Sequence, residues 1–184
     1  MIKQPKPQPV KYDELVTDIK RGYLKIPKFQ RDFVWTMEQT AELLDSIIKG
    51  YPIGTFIFWK TRERLRSVKN IGGADLPPSP DGDAVQYILD GQQRIASLFA
   101  ALKGLQVQKE NKVLDFKEIY VDLDKDIHTD DQIVVSEKTG DSNWITVHDL
   151  LSHDNINYFI DNYRDRIDKI DAYRRRFKTY DFST

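Results

Sequence analysis

The chain has 184 residues, of which 40% are hydrophobic and 31% charged, and its formal net charge at pH 7 is -1. This balance is typical of a globular protein and excludes a uniformly basic surface, so any nucleic-acid contact must come from local patches. No apolar run reaches the roughly 20 residues that span a bilayer, the first residues lack the apolar region of a secretory signal, and there is no cysteine. We therefore expect a cytoplasmic protein without a membrane anchor, a disulfide or a thiolate metal site.

Helices and strands are predicted throughout the first third of the chain. In chain order, the elements are a proline-rich lead-in at residues 1–9, a short helix at 12–22, a strand at 23–27, a helix at 36–50 and a strand at 55–59. The clearest signal is local: Thr36 and Gln39 form a Thr-x-x-Gln capping box, and Gly50 ends the apolar stripe that follows. The β-branched and aromatic run at 55–59 predicts a buried strand.

The rest of the chain is predicted to mix strands with helices and to end in a helical region. The elements are a loop at residues 70–83, a strand at 85–89, a helix that ends at Gly104 and paired strands at 118–123 and 132–135. From Trp144 onward the pattern is helical, with a short turn at 147–151 and one long helix at 156–177. The loop carries several glycines and prolines, which disfavour regular structure. Strands interleaved irregularly with helices predict an α+β fold with an appended C-terminal helical segment.

The most informative segment is the turn from the strand at 85–89 into the following helix. The strand stops at Asp90 and Gly91, and the helix begins with Gln92, Gln93 and Arg94. Backbone N–H groups at a helix start have no partner within the helix, and they suit an anion. Arg94 adds a guanidinium that can bind two phosphate oxygens, while Gly91 allows close approach of the backbone. The segment predicts an anion site.

A second polar string, Phe29-Gln30-Arg31, follows the strand at 23–27. If the two strands are neighbours in a sheet, Arg31 and Arg94 can contact the same phosphate chain. The alternative is that both arginines form surface ion pairs and that Gln30 and Gln93 cap backbone groups. The presence of two such strings at strand ends favours the shared site.

Other kinds of site receive less support. The chain contains neither G-x-x-x-x-G-K-[ST] nor G-x-G-x-x-G, so it lacks the familiar phosphate loops. His148 and His153 are five residues apart and do not share a helix face, which predicts surface or capping histidines. The acidic stretch at 122–131 lacks the spacing of a calcium loop, and we expect no metal site there. Aromatic residues alternate with arginines at 163–177, a weak sign of a nucleic-acid or partner face.

Three motifs resemble one known family. They lie at residues 26–35 (IPKFQRDFVW), 51–54 (YPIG) and 88–98 (ILDGQQRIASL). Their order and wording are similar to the N-terminal domain of GmrSD-type modification-dependent restriction systems, a family long catalogued as a domain of unknown function. The resemblance implies a ParB/sulfiredoxin-like mixed-sheet core with a nucleotide site. On that basis we divide the chain into a lead-in (1–10), a nucleotide-binding core (11–125) and a strand-plus-helical extension (126–184), and we expect further domains beyond it.

The resemblance also implies roles for individual residues. Arg94 would hold the β or γ phosphate of a nucleoside triphosphate, and Gln92 and Gln93 would contact phosphate or position water. Asp90 would orient Arg94 or a water bound to Mg²⁺, and Gly91 would let the phosphates approach. Gln30 and Arg31 would close the site from the neighbouring strand.

The implied function is binding and hydrolysis of a nucleoside triphosphate, with control of a nuclease domain or subunit that acts on DNA, including modified phage DNA. The base of the nucleotide is not predicted. The alternative is a non-catalytic module that uses the same pocket to bind DNA or a modified base. A third possibility is an interaction domain that docks through its helical end.

Overall fold

The computed structural model describes residues 8–28, 33–66, 70–71, 74–109, 112–128, 132–153 and 155–184. Within them the helices are α1 (Tyr12–Lys20), α2 (Met37–Lys49), α3 (Gln92–Lys103), α4 (Val147–Ser152), α5 (Ile156–Tyr163) and α6 (Ile167–Thr179), with a 3-10 turn at Arg164–Arg166. The strands are β1 (Pro9–Lys11), β2 (Leu24–Lys25), β3 (Ile57–Thr61), β4 (Asn70–Ile71), β5 (Ala74–Asp75), β6 (Val85–Asp90), β7 (Gln106–Lys109), β8 (Lys112–Asp115), β9 (Tyr120–Asp122), β10 (Val134–Val135), β11 (Trp144–Thr146) and β12 (Asp181–Ser183).

The sheet that positions the motifs has the strand order β2-β6-β3. β2 runs parallel to β6, with Leu24 opposite Gln86, whereas β3 is antiparallel to β6. The C-terminal ends of β2 and β6 and the start of β3 therefore lie at one edge of the sheet. An irregularity in the β3–β6 register falls between Ile57 and Phe58, beside that edge.

The remaining strands form smaller sheets. β9 lies between β10 and β11 and is antiparallel to both, which confirms the predicted pairing of the strands around the acidic stretch. β7 and β8 form a hairpin, as do β4 and β5, and β1 pairs with β12 from opposite ends of the sequence. The described chain is thus a mixed α/β structure with several small sheets, consistent with the predicted α+β class.

One hydrophobic core joins the two halves of the chain. α2 and α3 contribute fully buried residues such as Ile47 and Ala100, and the C-terminal elements contribute Phe177 and Phe182. Asp45 of α2 connects the core to the β9 sheet, because its Oδ1 accepts the Ile133 and Val134 backbone N–H groups at 2.7 and 3.0 Å. The ParB/sulfiredoxin-like arrangement and the division at residues 10 and 125 stay predictions.

Local signals placed the helix ends correctly. Thr36 Oγ1 accepts the Gln39 backbone N–H at 3.2 Å, and Gln39 Oε1 accepts the Thr36 N–H at 3.0 Å, which confirms the capping box. Gly50 closes α2 and Gly104 closes α3, both in the left-handed conformation. Both positions require the positive φ that glycine adopts without strain.

Four local predictions were wrong. The strand predicted as buried at residues 55–59 is buried on one face only, since Ile57 is 52% and Trp59 38% exposed. The loop at 70–83 contains the short hairpin of β4 and β5. Trp144 begins a strand rather than a helical region, and the long helix at 156–177 is interrupted by the 3-10 turn.

No helix in the described ranges is long and apolar enough to cross a membrane.

Candidate functional site

The candidate site lies at the edge where β2 and β6 end and β3 begins. Asp90 is the last residue of β6 and is opposite Ile57 in the register. Gly91 connects β6 directly to α3, so that the first turn of α3 also faces this edge. The parallel pairing of β2 with β6 makes them the neighbours that the shared-site hypothesis required. Gln30 and Arg31 themselves lie outside the described residues.

Gly91 occupies the tightest position of the site. Its φ is 89° and its ψ is 11°, and it forms the N-cap of α3 without a side-chain cap. A Cβ at this position would lie 2.3 Å from Cδ1 of the buried Phe56 ring and 3.2 Å from Arg94 Nη2. The position therefore excludes a side chain for two reasons, backbone conformation and lack of space. The sequence suggested that a glycine here allows close approach of a ligand. The structure adds a second reason, because the Phe56 ring occupies the space that a Cβ would need.

Arg94 projects from the first turn of α3 onto the loop that precedes β3. Its Nη1 donates to the Ile53 carbonyl at 2.6 Å, and its Nη2 donates to the Thr55 carbonyl at 2.9 Å. Nη2 also lies 3.3 Å from Asp90 Oδ2, and Cζ lies 4.7 Å from the centre of the Phe56 ring. We call residues 51–56 the clamped loop. Arg94 thus stabilises the local fold as well as carrying the positive charge of the site.

Exposure differs sharply between the two charged residues of this pair. The Asp90 side chain is 64% exposed and the Arg94 side chain 17%. Their ion pair is therefore largely solvated on the acid side, where such contacts contribute little to stability. The guanidinium is held in place chiefly by the two carbonyls of the clamped loop and by the aromatic ring beneath it.

Gln93 joins the two motifs physically. Its Oε1 accepts the Val34 backbone N–H at 2.9 Å, and Val34 follows the first motif's polar string in the chain. Lys109 Nζ donates to the Val34 carbonyl at 2.5 Å, so this backbone segment is held from both sides. Gln92 and Gln93 are both buried. The structure therefore brings the second motif against the segment that carries the first, and it uses at least one of the glutamines as a structural contact.

The residues of the predicted site consequently have three different placements. Asp90 is exposed at the sheet edge, Gly91 and Arg94 are half-buried, and Gln92 and Gln93 are buried. Together they supply a cationic side chain and a helix start beside one exposed carboxylate. Such an arrangement can attract and orient an anion through charge and backbone N–H groups.

Residues 51–54 form one of the three sequence motifs, and no role was predicted for them. The Ile53 carbonyl accepts a hydrogen bond from Arg94 Nη1, and Gly54 adopts a φ of 86° with Arg94 Nη1 only 2.7 Å from the place of a Cβ. The signal available in the sequence was the short string Tyr-Pro-Ile-Gly directly before a strand. This string did not show that Arg94 would contact it, because the contact joins residues about 40 apart in the chain.

The other candidate sites have structural explanations. His148 Nδ1 lies 2.8 Å from the Leu102 carbonyl near the end of α3, as predicted for a capping histidine. Within the described ranges, no group of three His, Cys, Asp or Glu side chains is arranged to hold a metal. Hydrogen bonds from the Asn143 backbone and from Arg166 lower the pKa of Asp124 in the acidic stretch. Tyr173 and Phe177 are buried, so these two aromatic residues form core rather than a stacking face.

Comparison with known proteins identifies the family. Residues 12–183 match the family described as GmrSD restriction endonuclease, N-terminal domain. The chain is also 31% identical over 121 residues to a protein of Methanocaldococcus jannaschii named Uncharacterized protein MJ0686. That match covers 64% of this chain and 21% of the relative, so the chain corresponds to about a fifth of the relative's length. The chain belongs to the family of GmrSD N-terminal domains.

Proposed function

We propose that this GmrSD N-terminal domain binds and hydrolyses a nucleoside triphosphate and thereby regulates a nuclease within a bacterial restriction system that defends against phage. The system would act on DNA, including modified phage DNA. The nuclease domain or subunit would lie outside these 184 residues. Family membership supports the restriction-system context, and the site at the end of β6 supports the nucleotide.

The observation that carries the proposal is the hydrogen bond between Val34 N–H and Gln93 Oε1, at 2.9 Å. It places Val34, three residues after the first polar string in the sequence, against the helix start that carries the second. In this proposal the first polar string reaches the same sheet edge, because two such strings beside Arg94 are suited to a polyphosphate chain rather than to a single small anion.

In this proposal the residues divide the work of binding. Arg94 neutralises charge on the β or γ phosphate, the backbone around Gly91 and Gln92 donates to the phosphate oxygens, and Gln30 and Arg31 approach from the β2 side. Gln93 positions the attacking water or the segment that contacts it. Catalysis would come mainly from positioning and electrostatic stabilisation of the transferring phosphoryl group.

Mg²⁺ fits this site as a companion of the nucleotide. The ion is usually held by one or two carboxylates together with substrate phosphates and waters. Asp90 is an exposed carboxylate at the site edge and can contact a hydrated ion of this kind. The ion would neutralise phosphate charge.

A titration across the four common nucleoside triphosphates, with and without Mg²⁺, tests binding, and phosphate release by the full-length protein tests hydrolysis. We expect Arg94→Ala to abolish both, with Arg62→Ala as a control that removes the same charge from an exposed surface position. Equal phosphate release from the wild type and from Arg94→Ala would exclude the assigned role of Arg94.

One observation favours a second candidate, a binding module without turnover. Nη1 and Nη2 of Arg94 are engaged with the clamped loop and Asp90, and the described site offers no buried carboxylate or histidine as a general base. The same pocket would then bind a DNA phosphate or a modified base. This candidate predicts DNA binding that weakens steeply with salt and needs no nucleotide.

A further inference from the structure

The geometry of the Arg94 guanidinium limits how a phosphate can reach it. A guanidinium presents two forked edges, one formed by Nη1 and Nη2 and the other by Nη2 and Nε, so each edge uses one Nη2 hydrogen. Nη2 has two hydrogens, and it faces two acceptors: the Thr55 carbonyl at 2.9 Å and Asp90 Oδ2 at 3.3 Å. A phosphate bound to either edge must therefore displace one of these acceptors.

The two acceptors are held with different strength. The Thr55 carbonyl belongs to the same loop as the Ile53 carbonyl, which Nη1 contacts at 2.6 Å. The clamped loop is also fixed from its other side, since the Tyr180 hydroxyl donates to the Tyr51 carbonyl at 2.6 Å and the Phe56 N–H donates to the Ser183 carbonyl at 2.8 Å. Releasing the Thr55 carbonyl would disturb this whole arrangement.

Asp90 has no comparable restraint. Its contact with Nη2 is long, its side chain is 64% exposed, and water can replace the contact at little cost. A carboxylate that stays beside the guanidinium would also repel an arriving phosphate. Asp90 is therefore the acceptor that leaves when an anion binds.

We propose that the Asp90 carboxylate is a placeholder for the phosphate: it occupies the Arg94 edge that the clamped loop leaves available, and an incoming phosphate competes with it. This inference rests on the proposed function. It assigns Asp90 a part in setting affinity, by competition, and it leaves Arg94 a lasting structural contact with the clamped loop. Mg²⁺ weakens the competition because it neutralises phosphate charge that Asp90 would otherwise repel.

The test measures binding of inorganic tripolyphosphate to the 184-residue chain by isothermal titration calorimetry, in EDTA and then in Mg²⁺. In EDTA we expect Asp90→Asn to bind roughly three- to tenfold more tightly than the wild type, the range for removal of one competing and repelling exposed charge. The advantage should shrink in Mg²⁺. Glu42→Gln, an exposed change on α2 with the same effect on net charge, should bind like the wild type.

The outcomes separate this inference from the proposed function. If Asp90→Asn and Glu42→Gln bind alike in EDTA, or if Asp90→Asn binds more weakly, the placeholder role is refuted while the phosphate site stands. A loss of affinity in Asp90→Asn with Mg²⁺, without tighter binding in EDTA, would give Asp90 a role at the metal ion alone and would also refute the placeholder role. If no variant binds tripolyphosphate or a nucleotide, the phosphate site itself is refuted and this inference with it.

Discussion

Replacement of Gly91 by alanine should be the most destabilising small change at the site. The residue has a φ of 89°, which costs an L-residue roughly 1–2 kcal/mol. The new Cβ would lie 2.3 and 2.8 Å from two atoms of the Phe56 ring, distances that force a shift. The Phe56 ring is fully buried, and its centre lies 5.6 Å from the centre of the Phe182 ring. Because the ring cannot move away freely, overpacking adds about 1–3 kcal/mol to the loss of stability. The expected loss is about 2–5 kcal/mol in the free energy of unfolding.

Gly50→Ala is the matched control for this experiment. Gly50 has a similar φ of 78°, but a Cβ there would meet nothing within 4 Å. It should therefore lose only the conformational part, about 1–2 kcal/mol. Urea denaturation of the two variants and the wild type gives the comparison. If Gly91→Ala is no more destabilised than Gly50→Ala, the argument from the Phe56 contact is wrong.

A double-mutant cycle locates the clash. Phe56→Leu removes the ring atoms that the new Cβ meets, so Gly91→Ala should cost less in that background than in the wild type. The coupling should be absent between Gly50→Ala and Phe56→Leu. Strictly additive losses for Gly91→Ala and Phe56→Leu would place the strain somewhere other than the aromatic ring.

Three further outcomes are expected. Arg94→Lys replaces the planar fork, whose two nitrogens each donate to one loop carbonyl, with a single ammonium, and should lose about 1–3 kcal/mol of stability by chemical denaturation; unchanged stability would contradict the clamp. Asp45→Ala leaves two buried amide donors without their acceptor and should lose about 2–4 kcal/mol, measured the same way, whereas a neutral result would contradict the anchoring role. Hydrogen bonds from the Asn143 backbone and Arg166 lower the pKa of Asp124 below its ordinary value of 3.8. Its charge therefore stabilises the fold above that value, and the contribution disappears as the pH falls through the lowered pKa; Asp124→Asn should flatten this acid dependence in thermal unfolding, and identical profiles would refute it.

Signals confined to a few neighbouring residues were readable from the sequence. The capping box at Thr36 and Gln39 and the closing glycines Gly50 and Gly104 each depend on contacts within one or two turns. The strand–turn–helix at β6 and α3 is similarly local. Contacts between such close neighbours form independently of the rest of the chain, so these predictions did not require knowledge of the fold.

Features that depend on distant partners could not be predicted. β1 and β12 are three residues each and pair across almost the whole chain. The break before α6 is hidden, because Phe159, Ile170 and Phe177 keep one continuous helical spacing. At the break, the Arg166 side chain forms a 2.7 Å contact with Asp124, from a different part of the chain. Neither this contact nor the break itself can be read from the spacing of the apolar residues.

The site shows the same division between local and distant causes. The sequence indicated which residues meet at the helix start, but it did not show that Arg94 and Gln93 turn toward other segments. The Arg94 contacts with the clamped loop and the Gln93 contact with Val34 are made across 39 to 59 residues. Their directions depend on where those segments pack.

This inward orientation changes how loss of activity at the motif should be interpreted. Replacement of Arg94 or Gln93 by alanine removes a side chain of the proposed binding site and also a hydrogen-bonded contact between two segments of the chain. Loss of activity alone would therefore not distinguish a catalytic role from a structural one. Asp90 is exposed at the sheet edge, where its side chain can be changed without breaking such a contact. Variants at Asp90 that keep the stability of the wild type while changing affinity are therefore the more direct evidence for what this edge of the sheet binds.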